Sequence, residues 1–369
     1  MKLAVYSAQP YDRRFLDEAR QNFAGGSVDA VFFSDALTLD TIPLAQGCEA
    51  VCVFVNDQLD AAVLAALHAS GVRAVLLRCA GFNNVDLQAG HALGLFMARV
   101  PAYAPEAVAE HALAMVMTLN RHTHRAYARV REGNFALDGL LGMTLNGKTV
   151  GIVGAGQIGA AAARIFHGLG CQVLISDPMP LPQLAAVARH VALDELLASA
   201  DIVSLHCPLM DSTRHMINAD SLARMKPGAM LVNTSRGGLI DTAAVIEALK
   251  SRQLGALAID VYEQEASLFF HDHSSDIIAD DVFQRLLTFP NVLVTGHQGF
   301  FTIEAMREIA SVTFDNLACY IQQRACPNLL PAGIAATSPA PTPTASLTAP
   351  LAASAPSATT EATSIAPKK

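Results

Sequence analysis

The segment VGIVGAGQIGAAAARIF sets Gly154, Gly156 and Gly159 between an apolar run that reads as a strand (TVGIV) and an alanine-rich run that reads as a helix. That order constrains the fold more than any other feature of the chain. A glycine turn joining strand to helix lets the backbone curl tightly, lets N–H groups approach a pyrophosphate, and lets helix and strand pack closely. The positive end of the helix favours the anion. Asp177 closes the next strand-like run (CQVLISD), about 18 residues beyond Gly159, where a carboxylate accepts from both adenosine ribose hydroxyls. The same carboxylate would repel a 2′-phosphate, and SDPMPLP offers no arginine to hold one, so NAD is expected rather than NADP.

The surrounding pattern fits an α/β protein. Six strand-like runs between Lys148 and His297 (KTVGIVG, CQVLIS, DIVSLH, AMLVNT, GALAID and NVLVTG) alternate with helical stretches, enough for a doubly wound parallel sheet. A second alternation (LAVYS, AVCVFV, AVLLRC) fills Met1 to about Val100. Between them, Pro105 to Arg131 reads as one long helix, the longest in the chain, with proline at its start. After His297 a helical segment, TIEAMREIASVTFDNLACYIQQ, is expected to fold back on the first unit. The expected fold is therefore α/β, two Rossmann-like doubly wound parallel-sheet domains with an active-site cleft between them. The expected boundaries are 1–101 with 298–331 for a discontinuous substrate domain and 102–297 for the NAD-binding domain. Residues 332–369 collapse to Ala, Pro, Ser and Thr without an aromatic residue, the composition of a disordered tail.

Charge and cysteine usage narrow the partners. A net charge of −8 with no block of Lys and Arg gives no footprint for nucleic acid or an anionic membrane. The opening MKLAVYSAQPYDRRF has too short an apolar run for a signal peptide, and the seven cysteines include no C-x-x-C, so reduced thiols in a cytoplasm are expected. His271 and His273 lack any further ligand pattern, and no metal site is expected. Cys48 and Cys52 read as core. Glu106, Glu110 and His111 read as structural residues of the long helix, and His122 and His124 as surface or interface residues.

Three ionisable residues follow strands of the second unit: Arg236 after AMLVNT, Glu265 after GALAID, and His297 at the end of NVLVTG. Loops leaving the carboxyl ends of strands line the ligand crevice of an open sheet, so all three face one rim. Their types suit reduction of a 2-oxo acid. The planar fork of Arg236 would hold a carboxylate, and His297 would deliver a proton to the carbonyl oxygen as hydride reaches the carbon. Glu265 would fix the tautomer of that imidazole.

The segments RCAGFNNVD, VPAYAPEAVAEHA, GIVGAGQIG, LHCPL, NTSRGGLID, DVYEQE and TGHQGF, in this order, resemble the D-2-hydroxyacid dehydrogenase family from about Met1 to Leu330. The stretch SLFFHDHSSDIIADDVFQRL and the opening MKLAVYS look most like its fermentative D-lactate branch. The resemblance implies reversible transfer of hydride between NADH and pyruvate. It implies that Arg236 binds the substrate carboxylate, that Glu265 and His297 form the proton-transfer pair, that backbone around Cys79, Ala80 and Gly81 helps hold the carboxylate, and that Tyr103 lies near the substrate. Gln157, Ile158, Asp177, Cys207, Pro208, Thr234, Ser235, Arg236 and Asp260 would line the NAD site. Thr213 stands near the cofactor where the branch often has asparagine, and Gly299-Phe300-Phe301 departs from the usual small residue and single phenylalanine. Family members pair through the NAD domain and a long helix, so a homodimer or homotetramer is expected. Another small 2-oxo acid (glyoxylate, hydroxypyruvate or phenylpyruvate) and a non-enzymatic NAD-sensing regulator are the alternative readings.

Overall fold

The structure, a computed structural model, describes residues 1–179 and 181–331. The expectation for residues 332–369 lies outside these. The first part of the chain runs β1 (Lys2–Val5), α1 (Pro10–Gln21), β2 (Asp29–Phe32), β3 (Ala50–Val53), α2 (Ala61–Ala69), β4 (Ala74–Leu77), α3 (Leu87–Ala92) and β5 (Phe96–Arg99). Two helices follow, α4 (Pro105–Arg121) and α5 (Thr123–Arg131). The chain then continues through β6 (Thr149–Val153), α6 (Gln157–Gly168), β7 (Gln172–Ser176), β8 (Arg189–His190), α7 (Leu193–Ser199), β9 (Ile202–Leu205), α8 (Ala219–Arg224) and β10 (Ala229–Asn233). It ends with α9 (Thr242–Lys250), β11 (Leu254–Ile259), α10 (Asp281–Leu287), β12 (Val292–Val294) and α11 (Ile303–Ile321).

Among the described residues the strands form two sheets, one of five in the order β2-β1-β3-β4-β5 and one of seven in the order β12-β11-β10-β9-β6-β7-β8. The paired strands run parallel, as βαβ connections require. The central strands AVCV, AVLL, IVSL and AMLVN are buried along their whole length, which is why they read as unbroken apolar runs rather than alternating ones. The order in which strands are added reverses beside the first strand of each sheet, between β1 and β3 and between β6 and β9, which opens a crevice at the carboxyl ends of those strands. The two-sheet α/β architecture is the one expected. No helix among the described residues is long and apolar enough to cross a membrane.

Three details differ from the sequence reading. The helix from Pro105 does not reach Arg131, because His122 adopts a left-handed conformation (φ 50°) that ends α4 and starts α5. Two residues before that break, the Asn120 amide bonds both ways to the backbone of Met143, at 2.9 Å each. No glycine or proline marks the break. Consequently α11, with 19 residues, exceeds the 17 of α4. The second sheet also gains β8, a two-residue exposed edge strand with no apolar pattern to reveal it.

Packing explains the alanines after the glycine turn. Ala160, Ala161, Ala162 and Ala163 of α6 are buried against Ala109, Ala112, Met115 and Val116 of α4 in one core. Small side chains there let the two helices approach closely. Helix α11 returns to the first sheet, where Met306, Ile309, Phe314 and Leu317 join Leu3, Val5, Phe15 and Leu76. Cys48 and Cys52 are core residues, as expected.

Candidate active site

At the end of β6 the chain enters the glycine turn. Gly154 has φ +83°, a conformation that costs other residues strain, and its Cα side abuts the backbone of Cys207 at the end of β9. A Cβ on Gly159 would strike the Gly154 carbonyl, so the third glycine is what lets α6 begin so close to the strand. Gly156 is different: a Cβ there would meet nothing within 4 Å, leaving the backbone at the start of α6 open to an incoming group.

Asp177 is placed to serve that opening. Its Oδ2 accepts from the Ala155 N–H at 2.7 Å and its Oδ1 from the Met179 N–H at 2.8 Å. These bonds fix the carboxylate beside the turn while leaving lone pairs for hydroxyl donors. Thr234, at the end of β10, is buried, and its Oγ1 has no partner, an orphaned polar atom of the kind a ligand satisfies. Gln157 and Ile158 start α6, and Ser235 donates to the Cys207 carbonyl at 2.6 Å, drawing the ends of β9 and β10 together. An open backbone face, an anchored carboxylate and an unsatisfied buried hydroxyl fit a dinucleotide.

Two residues expected at the cofactor use their polar atoms differently. Thr213 closes its own loop, its hydroxyl donating to the Pro208 carbonyl and accepting from Met210 N–H, both at 2.8 Å. Asp260 is 1% exposed and turns its carboxylate into the loop after β12, accepting from Gln298 N–H at 2.9 Å, Gly299 N–H at 2.8 Å and the Thr295 hydroxyl. His111 of α4 reaches the same carboxylate at 3.2 Å. The sequence reading held His111 to be a structural residue of a helix; its partner, brought from the far end of the domain, is visible only in the fold.

The loop that Asp260 organises carries His297, whose own backbone is left-handed (φ 54°). Its Nδ1 lies 2.8 Å from Glu265 Oε1, and Glu265 Oε2 accepts from Tyr262 N–H at 2.9 Å. Both carboxylate oxygens are thereby engaged, so Nδ1 is held as the donor and Nε2 is left as the ring's other proton site. Arg236 stands apart from this pair. Its Nη1 donates to the Ser235 carbonyl at 2.7 Å, and its Nη2 packs against the Cα of Gly81 in the first sheet's domain. The loop bearing Gly81 is tied back by Arg99, which donates to the Ala80 carbonyl and stacks over Phe82 at 4.9 Å. Because a trans peptide points C=O and N–H in opposite directions, pinning the Ala80 oxygen aims the Gly81 N–H away from Arg99.

Cys79 and Tyr103 face the same charge. Burial pushes the Cys79 thiol up to about 12, against the pull of Arg78 and Arg236, and burial likewise raises the Tyr103 phenol to about 12. Both keep their protons at neutral pH and leave the guanidinium charge for an incoming anion. Tyr103 meets Phe300 edge-on at 6.2 Å, and Phe300 meets the His297 ring at 6.5 Å, which links the Arg236 side of the cleft to the His297 side. Phe54, Phe270 and Phe300 form the aromatic wall beside His297. Of these three, the sequence singles out Phe300, within Gly299-Phe300-Phe301 after the histidine; Phe54 reads only as part of the apolar run AVCVFV and Phe270 as part of SLFFHDHSSDIIADDVFQRL. His273 Nδ1 pairs with Asp276 at 3.0 Å, and its ring meets that of His271 edge-on at 6.0 Å.

The family description "D-isomer specific 2-hydroxyacid dehydrogenase, NAD binding domain" matches residues 113–299. The 2-hydroxyacid dehydrogenase A of Aspergillus oryzae is 58% identical over 330 residues, 89% of this chain and 95% of that relative. The chain belongs to the D-2-hydroxyacid dehydrogenase family. Among other relatives, the D-lactate dehydrogenase of Escherichia coli is 50% identical across 89% of this chain and 100% of its own. The solved structure of a pyruvate reductase of Chlamydomonas reinhardtii superimposes with a TM-score of 0.84 at 46% identity, covering 89% of this chain and 98% of that one. The dehydrogenase is thus an oxidoreductase that uses NAD, and the residues around Gly156, Asp177 and Thr234 lie in the part of the chain matched as NAD-binding.

Proposed function

We propose that this dehydrogenase reduces pyruvate to D-lactate with NADH and catalyses the reverse reaction, with Arg236, Glu265 and His297 as its catalytic residues. The observation that carries the reading is the 2.8 Å bond between His297 Nδ1 and Glu265 Oε1 on one side of a cleft whose other side offers the Arg236 guanidinium against Gly81. The names of the Escherichia coli and Chlamydomonas relatives support D-lactate and pyruvate as the substrate pair.

In this mechanism Arg236 grips the substrate carboxylate through its planar fork, assisted by the backbone of Cys79, Ala80 and Gly81. That grip turns the 2-oxo group toward His297. NADH, when bound, supplies the hydride that reduces the carbonyl carbon. His297 gives its Nε2 proton to the carbonyl oxygen, which becomes the hydroxyl of lactate. Glu265 keeps the other proton on Nδ1 and balances the positive charge on the ring before transfer. In lactate oxidation His297 Nε2 accepts the hydroxyl proton. Gly154, Gly156, Gln157, Ile158 and Gly159 would hold the pyrophosphate and Asp177 the adenosine ribose. Cys207, Pro208, Thr213, Thr234, Ser235 and Asp260 would line the remainder of the NAD site, the last through the loop it organises.

The same reading assigns residues 1–101 and 298–331 to a substrate domain and 102–297 to the NAD domain. It also makes the protein a cytoplasmic homo-oligomer. Tyr127, Val130, Phe135, Leu137 and Leu141 are exposed along α5 and the arm that follows, and such an apolar stretch supports pairing with a second copy. All seven cysteines are free and buried, which supports a reducing compartment.

Steady-state assay of the purified chain with NADH and pyruvate, beside His297→Ala and Glu265→Gln, tests the reading. We expect His297→Ala to lower turnover by about two to four orders of magnitude, and Glu265→Gln by about one to three, with NADH affinity retained. NADH binding with no oxidation by any 2-oxo acid would instead favour the regulatory alternative.

A further inference from the structure

The segment from Tyr262 to Phe283 is built more firmly than the acid–base pair requires. Tyr262, Phe269 and Phe283 form a small core of their own with Leu268, the Tyr262 and Phe283 rings 5.1 Å apart and the Phe269 and Phe283 rings 6.0 Å apart. The Tyr262 hydroxyl donates to Asp280 Oδ2 at 2.8 Å and closes the base of the loop. Phe270 comes next to this anchor with φ +69°, a left-handed conformation that a bulky side chain rarely adopts and that marks constrained functional positions.

The consequence of that turn is directional. Phe269 is buried within the small core, whereas Phe270, only partly buried, packs against its edge and turns its ring to within 5.8 Å of the His297 ring. Its edge meets Phe54 at 5.2 Å and 76°. Phe54 follows β3 of the other sheet, so Phe270 carries an aromatic contact from the NAD-binding side of the cleft to the opposite side. Phe54 is itself immobilised: the Arg78 guanidinium stacks on it at 4.9 Å and is held by Asp12 and by the Ser7 carbonyl. Phe300 packs on Phe54 from another direction at 5.9 Å. The imidazole that meets the substrate oxygen is therefore flanked by rings on rigid supports, and the substrate carbon beyond the carbonyl has to lie among them.

We propose that Phe270 is a specificity-determining residue, which closes onto Phe54 across the cleft and limits the substrate to 2-oxo acids with a chain of about one methyl group beyond the carbonyl. The inference rests on the reading of His297 as proton donor to a 2-oxo acid. Longer aliphatic and aromatic 2-oxo acids would be excluded because their side chains need the volume the Phe270 ring fills. A pocket distinguishes one methylene by about 10- to 200-fold, so removing a whole ring should reverse much of that selection.

The test compares the wild-type enzyme, Phe270→Leu and Phe270→Ala, using NADH with pyruvate, 2-oxobutyrate, 2-oxoisocaproate and phenylpyruvate, and measures NADH binding by fluorescence and the thermal midpoint of each protein. For Phe270→Ala we expect the kcat/KM ratio of 2-oxoisocaproate to pyruvate to rise at least tenfold over wild type, with a smaller rise for Phe270→Leu. A threefold rise in either variant supports the role, and the leucine variant decides alone if the alanine variant does not fold. A ratio within threefold of wild type in every variant that binds NADH means a merely structural ring and overturns the proposal. The wild-type measurements test the underlying reading separately: a wild type that reduces 2-oxoisocaproate or phenylpyruvate better than pyruvate overturns the size limit and leaves the role of His297 standing. A wild type that reduces none of the four overturns both.

Discussion

His111 Nε2 lies 3.2 Å from Asp260 Oδ1, and this contact ties α4 to the loop that presents His297. The carboxylate it meets is buried, which alone would raise its pKa, but the hydrogen bonds from His111 and Thr295 outweigh burial and hold it below the usual carboxylate range. A depressed carboxyl contributes stability that is present above its unfolded value and lost as the pH falls through the lower folded value. Asp260→Asn should therefore cost about 1–3 kcal/mol at pH 7 and loosen His297. Urea unfolding together with turnover measures both; a variant with wild-type stability and wild-type rate would remove Asp260 from this role.

Arg236→Lys keeps the charge and removes the fork. Lysine presents a single ammonium where the guanidinium offers paired donors, and a charged hydrogen bond is worth about 1.5–3 kcal/mol. The KM for pyruvate should rise roughly 10- to 100-fold while NADH affinity stays within about threefold. An unchanged KM would mean that the carboxylate is held elsewhere.

Asp177 combines anchorage with charge. Replacing it by serine keeps a hydroxyl near the Ala155 N–H and removes the negative charge that opposes a 2′-phosphate. Catalytic efficiency with NADH should fall about 10- to 100-fold, and the NADPH to NADH ratio should rise. Competing cofactor titrations at fixed pyruvate decide this, and a ratio that does not move would assign cofactor choice to other residues.

His206 supplies a pH dependence outside the catalytic chemistry. Its Nε2 lies 2.9 Å from Ser204 Oγ, its Nδ1 is buried without a partner, and burial lowers its pKa to about 4. An unfolded histidine titrates near 6.5, so the folded state binds this proton less readily. Its contribution is complete above about pH 6.5 and is lost as the pH falls toward the folded value, up to about 2 kcal/mol between pH 7 and pH 5. Denaturant midpoints of the NAD-free protein should decline more steeply over that interval than those of His206→Asn. Parallel declines would show that His206 is not the titrating group.

Local pattern carried much of this protein. Gly154, Gly156, Gly159 and Asp177 are legible because a glycine turn between strand and helix needs those residues within a short stretch of chain. Arg236, Glu265 and His297 are legible because each follows an apolar strand, and strand ends converge in a parallel sheet. The break at His122 was hidden because the residue that enters the left-handed region there is neither glycine nor asparagine, and the partner of Asn120, Met143, lies in a distant loop.

Sequence by itself determined the fold class, the glycine turn and the candidacy of Arg236, Glu265 and His297, since these depend on short-range geometry and on residue chemistry. Tertiary structure decided which distant groups meet. Arg78 reaches Asp12 across 66 residues and His111 reaches Thr295 across 184, contacts set by strand order and by the packing of α4 against β10, β11 and β12. The closure of Phe270 onto Phe54 belongs to the same class. The two rings sit in loops that follow strands of different sheets, and no local preference of either segment encodes the approach of one loop to the other.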